Sequence, residues 1–167
     1  MNQQAHLPAA LQVCVPSRLL VVSAGHVGNS IFCTPAIRLL RDALPATTID
    51  VVALNAASAE VFQGNDAISS VHIAGSSWRM ARLAARYDEV ICLHPKSASL
   101  LARVAVPVTV IPPFDSHRHH AEQILAFAST LVGRSIDEEN RRYHLIPAVS
   151  RPLNMRGYPR IGIHLGC

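Results

Sequence analysis

Two short stretches of the chain combine residue types able to do chemistry at one place. The first, Gly25-His26-Val27-Gly28-Asn29, follows an apolar run and opens a helical one. Backbone N–H groups at a helix N-terminus attract anions, and glycine lets a ligand come close. The second, His94-Pro95-Lys96, follows another apolar run and holds the chain's only lysine, a point charge suited to phosphate. Each has a plainer reading: a tight turn without ligand for the first, a surface loop for the second.

Neither stretch completes a nucleotide motif. The first has two glycines instead of three, and the second strand ends in Leu54-Asn55, where a dinucleotide fingerprint needs an acid. No Lys-Ser/Thr pair follows the loop, so it is not a P-loop. His117, His119 and His120 look like metal ligands, but no carboxylate or cysteine is spaced to complete a set. An exposed polar helix start explains them. There is no nucleophile elbow, no supported Cys–His pair and no acidic pair near the two stretches. No cofactor or metal is called for. Cys14, Cys33, Cys92 and Cys167 are too far apart in sequence for a zinc pair. Cys33 and Cys92 lie in apolar segments and read as buried, reduced thiols of a cytosolic protein.

The two stretches meet only if the elements around them are arranged suitably. Leu19 to Ser23 is a continuous apolar run, as a strand buried on both faces reads. A helix follows with Ile31, Ala36, Ile37, Leu40 and Leu44 near helical spacing. Thr34-Pro35 fits its early turn, and Pro45 ends it. Ile49 to Leu54 is the second strand, and a short helix from Ala56 to Phe62 leads to a turn at Gly64-Asn65-Asp66. Ser70 to Ile73 is the third strand. Trp78 to Arg86 reads as a helix with Arg79, Arg82 and Arg86 in one basic stripe. Glu89 to Leu93 is the fourth strand, then comes a helix to about Arg103, and Val106 to Ile111 is the fifth strand, broken by Pro112-Pro113. His119 to Val132 is an amphipathic helix with Ile124, Phe127, Ala128 and Leu131 on one face. Strands alternating with helices imply an α/β fold, a Rossmann-like doubly wound parallel sheet. In a 3-2-1-4-5 order the first and fourth strands are neighbours, and ligands bind outside the carboxyl ends at that switch point. Topology alone then gathers His26, Gly28, Asn29, His94 and Lys96 at one crevice.

Composition fits this picture. The chain has 167 residues, 50% hydrophobic and 16% charged, which is enough to build a core without disulfide or metal. The net charge of +4 suits an anionic ligand or an acidic membrane surface and is too mild to argue for nucleic acid. No apolar run approaches the roughly 20 residues of a membrane span, and the first residues carry no secretory signal pattern.

From the first loop onward the sequence resembles the bacterial heptosyltransferases, the family-9 glycosyltransferases. The stretch LLVVSAGHVGNSIFCTPAIRLLRDALPATTIDVVAL resembles that family's opening strand, Gly-Asp pair (here Gly28-Asn29), Thr-Pro-Ala, Leu- and Arg-rich helix, proline and Asp-Val strand. AEVFQGNDAISSVH, AARYDEVICLHPKSAS, HHAEQILAFASTLVG and RIGIHLGC resemble later segments in the same order. The resemblance implies a GT-B fold and inverting transfer of heptose, or a related sugar, from a nucleotide-sugar donor to a lipopolysaccharide-type glycolipid acceptor. It implies peripheral contact with the inner face of the cytoplasmic membrane. It also implies an acceptor side made here from Gly25, Gly28, Thr34, His94, Lys96 and His120. The family's general base is an acid at the position of Asn29, and an amide cannot take a proton at neutral pH. His26, three residues earlier, is the nearest group able to do so.

The expected organisation is a tail over 1–18, a Rossmann-like acceptor-side domain over 19–133, a linker over 134–158 and, over 159–167, the first strand of a truncated donor-binding domain. Three functions follow: a heptosyltransferase-type glycosyltransferase of which this is the acceptor-side half, inactive alone; a non-catalytic glycolipid- or partner-binding module that has lost its acid; and, less favoured, a small dinucleotide-binding protein.

Overall fold

The computed structural model describes residues 15–146. Five parallel strands form one sheet: β1 (Arg18–Val22), β2 (Thr48–Ala53), β3 (Ser70–Ile73), β4 (Glu89–Cys92) and β5 (Val108–Val110), in the order β3-β2-β1-β4-β5. The helices are α1 (Val27–Ala43), α2 (Ala56–Glu60), α3 (Ser77–Ala84) and α4 (His120–Val132), with 3₁₀ segments at Pro95–Leu101 and Glu139–Arg141.

β1 is central. Val21 faces Val51 of β2 on one side and Ile91 of β4 on the other. Successive side chains point to opposite faces, so its apolar run feeds two cores. Leu19, Val21, Val51 and Ile91 pack under Ile37 and Leu40 of α1 and Ile124 and Ala128 of α4. Leu20, Val22, Val52 and Cys92 pack under Met80 and Ala84 of α3 and Leu101. This is why the strand shows no alternation in sequence: neither face is wet.

Several boundaries differ from the sequence expectation. α1 starts at Val27, so Pro35 lies in mid-helix and not in an early turn. Proline has no N–H for the carbonyl four residues back, and here the Thr34 hydroxyl donates to that Ile31 carbonyl at 2.9 Å. The helix passes its proline because the preceding side chain supplies the missing donor. α3 ends at Ala84, two residues short of Arg86. The segment after His94 is 3₁₀ and stops at Leu101. Ser97 Oγ donates across the fold to the Ser23 carbonyl at 3.0 Å, tying the segment to the exit of β1, and Ser99 Oγ donates locally to the Lys96 carbonyl, a bond that competes with α-helical pairing. β5 is only Val108–Val110. Phe127 is half-buried at the margin of the core while Leu125 is buried with Ile124 and Ala128.

α4 ends on Gly133, whose φ of 63° is the left-handed value glycine adopts without strain. Beyond it, residues 134–146 lie against the domain: the backbone N–H of His144 donates to Thr34 Oγ1 at 3.2 Å, and Asn65 Nδ2 donates to the His144 carbonyl at 3.2 Å. The expected strand at Arg160 to Gly166 lies outside the described residues, as does most of the N-terminal tail. Among the described residues no helix is long and apolar enough to cross a membrane.

Candidate functional site

β2 and β3 lie on one side of β1, β4 and β5 on the other, so the exits of β1 and β4 flank the switch point. The exit of β1 is held rigidly. Ser30 Oγ donates to the Ala24 carbonyl at 3.2 Å, and Asn55 Nδ2 donates to the Gly25 carbonyl. Asn55 also caps α2 by accepting from Ser58 N–H at 2.9 Å. The position where a dinucleotide-binding protein carries its ribose-binding acid therefore serves as a brace for the loop. Gly25 and Gly28 have ordinary negative φ, so neither glycine is demanded by the turn itself.

The two stretches do meet. Asn29 Nδ2 lies 3.4 Å from His94 Nε2 across sixty-five residues of sequence. Asn29 is half-buried in the first turn of α1, and His94 is only 6% exposed. Its other ring nitrogen, Nδ1, is buried without a partner. Phe114 and the His94 ring meet edge-to-face at 5.4 Å, and His120 stacks on Phe114 at 4.3 Å. Burial, then the positive groups of His120, Lys96 and His26, hold His94 below its usual pKa. With its pKa held below the ordinary value, His94 is a neutral imidazole at neutral pH.

His26 is the N-cap of α1, exposed, with no side-chain capping bond. No acid stands in the first turn of α1. The first backbone N–H groups of a helix have no intrahelical acceptor, so the crevice presents donors: these amides, Asn29, Lys96 and the imidazoles. Lys96 is exposed and His120, the first residue of α4, is half-buried. Thr34 stands apart from this group. It is buried, and its hydroxyl is engaged with Ile31 and His144.

Phe114 was not legible beforehand, because it sits in a segment marked only by its prolines. Phe32 makes a second aromatic group with His119 at 4.9 Å and Tyr143 at 6.2 Å. His119 is occupied as the N-cap of α4, its Nδ1 accepting from Ala121 N–H. Among the described residues no cluster of His, Cys, Asp or Glu could hold a metal ion. Cys33 and Cys92 are buried, free thiols, and burial pushes Cys92 up to about 11 and Cys33 to about 12, so neither is a nucleophile at neutral pH.

No family model and no curated protein sequence matches the chain. Solved structures do. A family-9 glycosyl transferase from Veillonella parvula superposes with a TM-score of 0.59 at 22% identity, over 71% of this chain and 42% of that one. The E. coli heptosyltransferase WaaC, solved with ADP-2-deoxy-2-fluoro heptose, gives 0.55 at 20%, over 72% and 50%. E. coli ADP-heptose lps heptosyltransferase II gives 0.55 at 19%, over 66% and 40%. The chain thus spans half or less of the length of these enzymes. Its fold is α/β, a five-stranded parallel sheet with the architecture of one half of a GT-B glycosyltransferase, and the resemblance read from the sequence is met at the level of the fold.

Proposed function

We propose that the chain is the acceptor-side half of a glycosyltransferase of heptosyltransferase type. It receives the sugar end of a lipopolysaccharide-type glycolipid at the inner face of the cytoplasmic membrane, and the sugar comes with inversion from a nucleotide-sugar donor. The observation that carries this reading is the Asn29–His94 contact at 3.4 Å. This contact joins the polar exits of β1 and β4, beside Phe114, at the switch point of a sheet whose solved neighbours include glycosyltransferases, and that supports the reading. Asn29 orients the acceptor hydroxyl, and His26, open to solvent beside it, takes the proton. Titrating the chain with a lipopolysaccharide inner-core oligosaccharide should shift the Asn29 side-chain amide and the His94 and His120 ring signals; no shift at the crevice overturns the reading. In a protein that carries this chain and transfers sugar, His26→Ala should cost roughly 10²–10⁴-fold in rate, as general-base removal does. Asn29→Asp should raise the rate.

A second reading, a non-catalytic glycolipid- or partner-binding module, is favoured by one observation: the residue at the crevice mouth is the amide Asn29, with no acid in the first turn of α1. It predicts oligosaccharide binding with no gain of transfer in Asn29→Asp.

A further inference from the structure

A buried polar cluster lies away from the crevice, toward the β3 edge of the sheet. Asp50 of β2 is only 4% exposed, and Tyr87 is buried beside it. The Tyr87 hydroxyl donates to Asp50 Oδ2 at 2.5 Å. Burial, then Asp50, push that hydroxyl above its ordinary pKa, so it keeps its proton at neutral pH. His72 of the edge strand β3 completes the cluster. Its Nε2 lies 3.4 Å from Asp50 Oδ2 and 3.2 Å from the Tyr87 oxygen. With the hydroxyl proton directed at Asp50, both oxygens face His72 as acceptors, so Nε2 carries a hydrogen. The other ring nitrogen, Nδ1, has no hydrogen-bond partner among the described residues.

His72 also lines an open groove of about 370 Å³, together with Ile73, Ala74, Leu83 and the arginines Arg79, Arg82 and Arg86 of α3 and its extension. That is room for a small molecule. The three arginines are exposed, and among the described residues none is ion-paired. No acid occurs between Asp66 and Asp88, and Asp88 Oδ2 is engaged by the Arg18 backbone N–H at 2.9 Å. The result is a basic face: three guanidiniums and one anchored imidazole, with no carboxylate in the lining. The α1–α4 face differs, since Arg38 there pairs with Asp66 at 2.6 Å and Asp42 at 3.5 Å.

We propose that this groove binds a soluble phosphate monoester, with its phosphate on Arg79, Arg82, Arg86 and His72 Nδ1 and its organic body against Ile73, Ala74 and Leu83. Guanidiniums match phosphate oxygens in pairs. His72 joins them as the imidazolium, which gains a donor at Nδ1. The Asp50 carboxylate behind Nε2 favours that charge, and the three arginines oppose it until the anion is bound. Those groups and Tyr87 are the ones that face His72, with the Arg18 guanidinium beyond, over the Tyr87 ring at 4.9 Å. α2, which carries Glu60, packs through Ala59 into the core on the other face of the sheet. The inference stands on this groove and not on the sugar-transfer reading, so either can fail without the other.

Phenyl phosphate, inorganic phosphate and sulfate are the probes, titrated into the whole chain. Phenyl phosphate should shift the His72 ring signals and leave those of His94 and His120 in place. It should bind more tightly than inorganic phosphate, because its ring removes Ile73 and Leu83 from water. Arg82→Gln with Arg86→Gln should weaken it about tenfold or more. Sulfate keeps both its charges from about pH 8 to about pH 5, the range in which histidine titrates. Its affinity should therefore rise as the pH falls, and His72→Gln should abolish that rise. An unmoved His72 signal, full affinity in the double variant, or a pH dependence that survives His72→Gln overturns the proposal. So does equal affinity for phenyl phosphate and inorganic phosphate, which would make the groove a site for free anions. A shift centred on His94 and His120 would place the anion in the crevice and overturn it as well.

Discussion

At the crevice, Asn29 and His94 are the pair that the fold brings together, 3.4 Å apart. Legibility at this scale was uneven for a physical reason. The meeting of Asn29 and His94 follows from strand order, and the alternation of apolar strands with helices makes a doubly wound order the expected one. Phe114, which packs against His94 and His120, and the unpartnered Nδ1 of His94 are products of tertiary packing, and no local pattern encodes them. The burial of His94 has a measurable consequence. Burial first, then His120, Lys96 and His26, lower its pKa in the folded state. Just below the ordinary histidine value of about 6.5, the unfolded chain therefore binds more protons than the folded one. Stability rises with pH where that holds. The contribution of neutral His94 is present above that value and lost as the pH falls through it toward the folded pKa. Thermal melts of the wild type should decline across this window, and His94→Gln should flatten the decline. Parallel curves for the two proteins would show that His94 titrates as an unperturbed surface group.

At the scale of elements, α1 carries both the site and an exception to helical rules. Pro35 sits in its interior, where proline ordinarily breaks a helix. In sequence Thr34-Pro35 fits an early turn, since a proline is visible there and the rescue by the neighbouring hydroxyl is not. The family resemblance of Thr34-Pro35-Ala36 implies acceptor binding by Thr34, yet its hydroxyl donates to Ile31 and accepts from His144 N–H. The two roles separate by experiment. Thr34→Val leaves a buried carbonyl and a backbone N–H without partners, which costs about 1–3 kcal/mol for each unsatisfied group. Urea unfolding should show that loss, Thr34→Ser should restore most of it, and oligosaccharide affinity should be unchanged in both. A variant of normal stability that no longer binds the oligosaccharide would return Thr34 to the site. The same limit applies to the segment after His94: its apolar spacing fits either helix type, and the serine bonds to Ser23 and Lys96 that accompany the 3₁₀ form are not visible as periodicity.

The whole molecule is a rigid centre with two thinner edges, and its surfaces are divided along that line. The crevice hangs on β1 and β4. Leu19 through Val22 and Val90 through Cys92 are all 0% exposed. The basic face borders β3, where Ile73 is half exposed, and β5 has three residues, none fully buried. Backbone hydrogen bonds at the strand exits have nearly the same length everywhere: Ser23 N–H to Val52 at 3.0 Å and Leu93 N–H to Val22 at 2.9 Å in the centre, Ala74 N–H to Ala53 at 3.1 Å and Ile111 N–H to Cys92 at 2.9 Å at the edges. Bond geometry therefore predicts equal protection from hydrogen exchange. Cooperativity predicts otherwise, because a central amide is freed only when two strands buried in the middle of the sheet part from each other, whereas an edge amide is freed by peeling one short strand. Native-state exchange should find Ser23 and Leu93 opening only with the whole domain, and Ala74 and Ile111 opening locally and faster, with a weaker dependence on denaturant. If all four exchange together, β3 and β5 are as firmly held as the centre. The crevice would then have no stability advantage over the basic face.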